Sequence, residues 1–195
     1  MGRKICYLPS KSGDIRMKLS ETKLEGAFVI KIEKLEDERG FFGRTWDKEF
    51  FESNGLNADL VQCNISFNKK KGTIRGLHYQ IPPYEEAKLV RCTRGKVFEV
   101  IVDLRKNSKT FLQWDSVELD SESYLMLFVP EGFALGLQTL EDNSELCYQM
   151  SQFYKPECSK GIRWDDETLK ISWPLKPSVI SKKDSNLGTL DEDTI

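Results

Sequence analysis

Residues 73–104 read TIRGLHYQIPPYEEAKLVRCTRGKVFEVIVDL, and this stretch decides the fold. Its last part, Val97–Leu104, is β-branched and apolar on both faces, the pattern of a strand covered on both sides. Ala87–Thr93 is a second strand, joined to the first by the tight turn Arg94-Gly95-Lys96, and Thr73–Gln80 is a third. The same rhythm continues outward. Upstream, the residues from Gly26 to Ile32, Phe41–Trp46 and Leu60–Asn68 read as strands, with turns at 37–40 and 69–72. Downstream come Trp114–Leu119, Ser123–Val129, Gly136–Leu140 and Glu145–Gln152, with a turn at Pro130-Glu131-Gly132. The best helix is short, Asp47–Asn54, with Asp47 placed to cap it. Many short strands with a few short helices predict an all-β antiparallel sandwich or barrel.

No repeat, low-complexity block or composition break divides the chain. One domain is expected over residues 18–185, preceded by a polar lead-in at 1–17 and followed by an acidic tail at 186–195. A net charge of −2, with both signs scattered, gives no basic field for nucleic acid or for a membrane surface. No apolar run approaches the ~18 residues of a membrane span, and the N-terminus is too polar for a signal peptide. The five cysteines (6, 63, 92, 147 and 158) are odd in number and form no CxxC pair, so reduced thiols and a cytoplasmic location are expected.

His78 is the only histidine, which limits the available chemistry. One imidazole cannot build the multi-histidine metal sites common in β-barrels of this size, and no clustered carboxylate or cysteine spacing replaces them. No G-x-S-x-G, Walker A or G-x-G-x-x-G motif is present. Proton transfer without cofactor or metal remains, and it needs a base near neutral pKa, an orienting group, an oxyanion stabiliser and an acid. His78 suits the base. Lys88 shares a strand face with Val90 and Cys92, where an ammonium is costly unless used. Tyr148 interrupts an apolar strand, and Asp165-Asp166 lies in a loop. Each also has a bland reading: a solvated strand-mouth lysine, a structural histidine, a core tyrosine, a loop turn.

Taken together and in order, the motifs resemble one family. They are Asp37-Glu38-Arg39-Gly40-Phe41-Phe42, Gln62-x-Asn64-x-Ser66, Arg75-Gly76-Leu77-His78-Tyr79-Gln80, Lys88-Leu89-Val90-Arg91 and Arg94-Gly95-Lys96-Val97-Phe98. Val102-Asp103-Leu104-Arg105, Pro130-Glu131-Gly132-Phe133-Ala134, Ile162-Arg163-Trp164-Asp165-Asp166 and Trp173-Pro174 follow. The chain is similar to dTDP-4-dehydrorhamnose 3,5-epimerases and related nucleotide-sugar epimerases. The resemblance implies a cupin-type jelly roll that needs no metal and no cofactor. It also implies a homodimer in which the strand carrying Arg39 and Phe41 crosses to the partner. The implied substrate is a nucleotide-diphosphate 4-keto-6-deoxy sugar, inverted at C3, C5 or both through an enolate.

The resemblance assigns His78 as base, Asp166 as its orienter, Lys88 at the enolate oxygen and Tyr148 as acid. Arg39 and Arg75 would face the diphosphate, with Phe41, Gln62, Asn64 and Tyr154 in the binding cleft. One departure stands out: where the family has histidine after Pro-Glu-Gly-Phe-Ala, this chain has Leu135. That points to a variant sugar, or to epimerisation or ketoisomerisation at a single carbon. A sugar-nucleotide-binding module without catalysis is the reading from a different class, and the joint presence of His78, Lys88 and Tyr148 opposes it.

Overall fold

The computed structural model describes residues 5–6 and 17–190. Most of the expected lead-in, and residues 191–195, lie outside the described residues. In chain order the elements are β1 (Ile5–Cys6), β2 (Met17–Glu21), β3 (Phe28–Ile32), β4 (Leu35–Asp37), β5 (Gly40–Phe42), α1 (Lys48–Ser53) and β6 (Gln62–Asn68). They continue with β7 (Thr73–Gln80), β8 (Lys88–Arg94), β9 (Lys96–Asp103), β10 (Trp114–Asp120) and β11 (Leu125–Val129). The last are β12 (Phe133–Thr139), β13 (Ser144–Met150), β14 (Ser159–Gly161), β15 (Val179–Ile180) and α2 (Lys182–Ser185).

These strands form a jelly-roll sandwich of two sheets. One runs β1-β2-β3-β11-β8-β13-β6; the other runs β10-β9-β12-β7-β14, with β15 added beside β7. Asp47 caps α1 as expected, its side chain accepting from the Phe50 backbone N–H. Phe41–Trp46 does not continue as a strand: β5 ends at Phe42, and β4 and β5 form a separate hairpin.

Three apolar layers hold the sandwich, and two of them, the inner core and the layer outside the second sheet, cover the two faces of β9. Between the sheets, Val29, Val90, Val97, Ile101, Leu127, Leu135 and Leu146 pack as the inner core. Outside the first sheet, α1 and the following loop place Phe51, Leu56 and Ala58 on Leu19, Ile30, Leu89 and Phe128. Outside the second sheet, the C-terminal segment lays Leu169, Ile171 and Trp173 on Val100, Val102 and Leu77. Each fully buried aliphatic side chain contributes about 1.5–3 kcal/mol. Cys92 belongs to the inner core, whereas Cys147 is only half-buried beside the exposed Ile65. Among the described residues no helix is long and apolar enough to cross a membrane.

Candidate active site

A cavity of about 360 Å³ opens between the two sheets, within the ~300–1,000 Å³ range of small-molecule sites. One wall comes from β7, β9 and β12 and carries Arg75, His78, Glu99, Leu135 and Leu137. The facing wall comes from β6, β8 and β13 and carries Asn64, Ser66, Lys88 and Tyr148. The strand period of two puts Asn64 with Ser66 and Leu135 with Leu137 on the inner face, while Arg75 and His78, three residues apart, share it through the register shift between β7 and β12. Lys88 is followed by Val90 and Cys92 in the core, while Leu89 points to the outer layer.

Two glycines let β7 and β12 approach closely at the His78 wall. Gly76 has φ +98°, and a Cβ there would stand 2.7 Å from the Leu135 carbonyl oxygen. A Cβ on Gly136 would stand 2.9 Å from the Arg75 carbonyl oxygen, where the β12–β7 register shifts. Across this bulge Leu135 pairs directly with His78. An apolar side chain therefore neighbours the imidazole.

His78 is oriented by Asp184, not by Asp166. His78 Nε2 lies 2.8 Å from Asp184 Oδ1, and the Asp184 carboxylate is nearly fully buried. With Nε2–H donated to the carboxylate, Nδ1 is the nitrogen free to take a proton. The other carboxylate oxygen accepts from the Gly76 N–H at 3.4 Å. Parallel pairing of β15 with β7 delivers this contact. Val179 is opposite Thr73 and Ile180 opposite Ile74, so the chain leaving β15 runs alongside Arg75–His78. Ser181 then caps α2, accepting from the Asp184 N–H, and fixes where the aspartate stands.

Asp166 has a different task. Its Oδ1 accepts from the Thr168 and Leu169 N–H groups at 2.9 and 3.0 Å, and its Oδ2 from the Leu190 N–H at 2.6 Å. Three backbone donors engage both carboxylate oxygens and tie the 163–169 loop to Leu190, and the carboxylate on His78 is that of Asp184, so the expected role of Asp166 as orienter is overturned.

Lys88 Nζ pairs with Glu86 Oε1 at 2.8 Å, and both side chains are largely buried. Tyr148 is half-buried on β13, opposite Asn64 on β6. Burial, then the neighbouring Glu99 carboxyl, pushes its phenol well above the ordinary value, so it stays protonated at neutral pH. Arg75 Nε donates to Asn68 Oδ1 at 2.6 Å, which steers the guanidinium at the cavity rim. Tyr154 also lines the cavity, its backbone N–H donating to Gln62 Oε1 at 2.5 Å. Gln62 thus acts through Tyr154. Gln80 clamps the same loop, donating to the Phe153 carbonyl and accepting from the Lys155 N–H.

Six expected residues therefore meet at the cavity: Asn64, Arg75, His78, Lys88, Tyr148 and Tyr154. Arg39 and Phe41 do not, within this single chain. Arg39 sits at the tip of the β4–β5 hairpin, bound to Asp37, and Phe41 packs edge-on against Tyr124. Asp184, Glu86 and Glu99 were not among the expected set. The Ser181-x-x-Asp184 capping pattern and the lone acid in Val-Phe-Glu-Val-Ile-Val were the available signals. Among the described residues no group of three or more His, Cys, Asp or Glu is arranged to hold a metal ion.

Comparison with known proteins gives a consistent answer. The family model described as dTDP-4-dehydrorhamnose 3,5-epimerase matches residues 21–192. A protein of that name from Methanothermobacter thermautotrophicus is 42% identical over 178 residues, covering 90% of this chain and 95% of the relative. The Bacillus anthracis dTDP-4-dehydrorhamnose 3,5-epimerase, solved with TDP and pyrophosphate bound, superposes with a TM-score of 0.86 at 37% identity. It covers 90% of this chain and 100% of its own. A Legionella pneumophila dTDP-6-deoxy-D-glucose-3,5-epimerase in complex with dTDP-4-keto-L-rhamnose has a TM-score of 0.84 at 35% identity, covering 89% and 93% of the two chains.

Proposed function

Because the chain belongs to the dTDP-4-dehydrorhamnose 3,5-epimerase family, and is thereby a nucleotide-sugar epimerase, we propose how its own residues carry out the inversion. The observation that carries the reading is that His78 and Tyr148 stand on facing sheets across one cavity. Inverting a carbon requires a proton to leave from one face and return on the other. A base and an acid on opposite walls meet that demand.

The 4-keto group of a dTDP-linked 4-keto-6-deoxy sugar acidifies the hydrogens on C3 and C5. His78 Nδ1 takes one of them, and the C–H electron pair becomes a C=C bond with negative charge on O4. Asp184 holds the tautomer and stabilises the imidazolium, and the Lys88 ammonium stabilises O4. Tyr148 then gives its phenolic proton to the carbon from the opposite face, and the phenolate and imidazolium reset through water. General acid–base groups contribute about 10²–10⁴-fold each, and a donor aimed at a developing oxyanion about 10²–10³-fold. Arg75 faces the diphosphate, and Asn64 and Tyr154 bind along the cleft.

The β4–β5 hairpin supports a homodimer. Phe42 is 65% exposed and Leu35 52%, an apolar surface that pairing would bury. On this reading the hairpin crosses to the partner and brings Arg39 to the diphosphate there. A sedimentation mass of 22.5 kDa, that of one chain, would contradict it. The free thiols of Cys63, Cys92, Cys147 and Cys158 fit a cytoplasmic setting.

Leu135 favours a second reading on regiochemistry. The residue paired with His78 offers no hydrogen bond, so one of the two inversions loses a donor. Proton NMR of dTDP-4-keto sugars with the enzyme in deuterated water tests both points. Deuterium entering only C3 or only C5 is the single-carbon outcome, and rapid entry at both positions overturns it.

A further inference from the structure

Strand β9 places one acid in the inner core. Glu99 lies between Val97 and Ile101 on the inward face, opposite Leu137 on β12 and Val117 on β10. It is 0% exposed, and neither carboxyl oxygen has a hydrogen-bond partner. An unpartnered buried carboxyl costs stability, and a lone carboxylate there costs far more than the neutral acid. Lys88 offsets that cost only in part, because its ammonium is paired with Glu86. Glu99 lines the same cavity as Lys88 and Tyr148.

We propose that Glu99 is a further catalytic group of this site: a neutral carboxylic acid that donates its O–H to the sugar's 4-oxygen as that oxygen becomes an enolate. The role rests on the enolate reading above. Lys88 on β8 and Glu99 on β9 approach the oxygen from the two sheets, so the charge meets two donors. The C–H proton goes to His78, its electron pair goes to the enolate, and Tyr148 supplies the returning proton. The Glu99 proton remains with Glu99. The carboxyl has no partner in the free site because the sugar brings one.

The protonation state follows from the surroundings. Burial raises Glu99 to about 8, with Lys88 opposing. The ionisable groups around it are Lys88 and Cys92 on β8 and Tyr148 on β13; Arg75, His78 and Tyr79 from β7, with Glu86, Tyr154 and Lys183, line the same cavity, and β10 and β12 present Val117, Leu135 and Leu137. The donor must be protonated, so activity falls as pH rises through about 8. Tyr148 does not supply that limb, since its phenol is held well above its ordinary value.

The test is deuterium exchange into a dTDP-4-keto-6-deoxy sugar by the wild type, Glu99→Gln and Glu99→Leu, with kcat and KM followed across pH. Glu99→Gln keeps an N–H donor that does not titrate. It should lose about 10-fold in kcat and should lose the alkaline limb. Glu99→Leu should lose about 10²–10³-fold in kcat with little change in KM, while its thermal midpoint rises. Wild-type kcat in Glu99→Leu, or an unchanged alkaline limb in Glu99→Gln, overturns the role; if the leucine variant does not fold, the glutamine limb decides. Absence of exchange with the wild type overturns the enolate reading itself.

Discussion

Two aspartates in the C-terminal segment are almost equally buried, Asp166 at 3% and Asp184 at 4% exposure, yet they do opposite things. The Asp166 loop spends its carboxylate on three backbone N–H groups. The α2 turn keeps one Asp184 oxygen for the His78 imidazole. Burial and residue type are shared, so neither sets the role. What decides it is which donors the local backbone leaves unpaired. At 163–169 the chain turns back on itself, its own amides take one oxygen, and the Leu190 N–H takes the other. At α2 the Ser181 hydroxyl satisfies the Asp184 amide, and the carboxylate is left to reach across to β7.

The largest expected effect comes from removing the imidazole that Asp184 contacts and Asp166 does not. His78→Ala should cost at least about 10³-fold in exchange rate, because it removes the one imidazole of the cavity and the group that Asp184 holds. Near-normal exchange would show that another group abstracts the proton.

How far the sequence reveals all this depends on range. Thr73–Gln80 is legible to the residue, and β8 and β9 almost so, because alternation and turn residues are local. The Asp47 cap is three residues from its acceptor's donor, Phe50. The strands that are hard to read are β2, which is short and half polar, and β14 and β15, which have three and two residues and exist through pairing with β7. The site follows the same rule. His78, Lys88 and Tyr148 are visible as polar residues in apolar strands. The His78–Asp184 contact spans 106 positions and depends on the β15–β7 register, which no local pattern contains. The Trp164-Asp165-Asp166 motif is the more conspicuous in sequence, but spacing alone does not say who takes a carboxylate.

Two substitutions sharpen the contrast in order of expected effect on catalysis. In Asp184→Asn the amide can present its N–H to Nε2 and reverse the histidine tautomer, placing a proton where a lone pair is needed. A loss of about 10²–10⁴-fold in kcat is expected, with the fold retained by far-ultraviolet circular dichroism. Asp166→Asn should leave kcat within about three-fold. Its effect falls on stability: one amide oxygen cannot replace two carboxylate oxygens for three donors, and about 1–3 kcal/mol is lost, read from denaturant unfolding.

The most direct measurement is the initial rate of deuterium incorporation at C3 and C5 of a dTDP-4-keto-6-deoxy sugar, taken side by side for the wild type, Asp184→Asn and Asp166→Asn. Assignment of His78 and Asp184 as the proton-abstracting pair predicts rapid wild-type incorporation, near-wild-type incorporation in Asp166→Asn and a collapse in Asp184→Asn. Collapse in Asp166→Asn with retention in Asp184→Asn, both variants being folded, would contradict it.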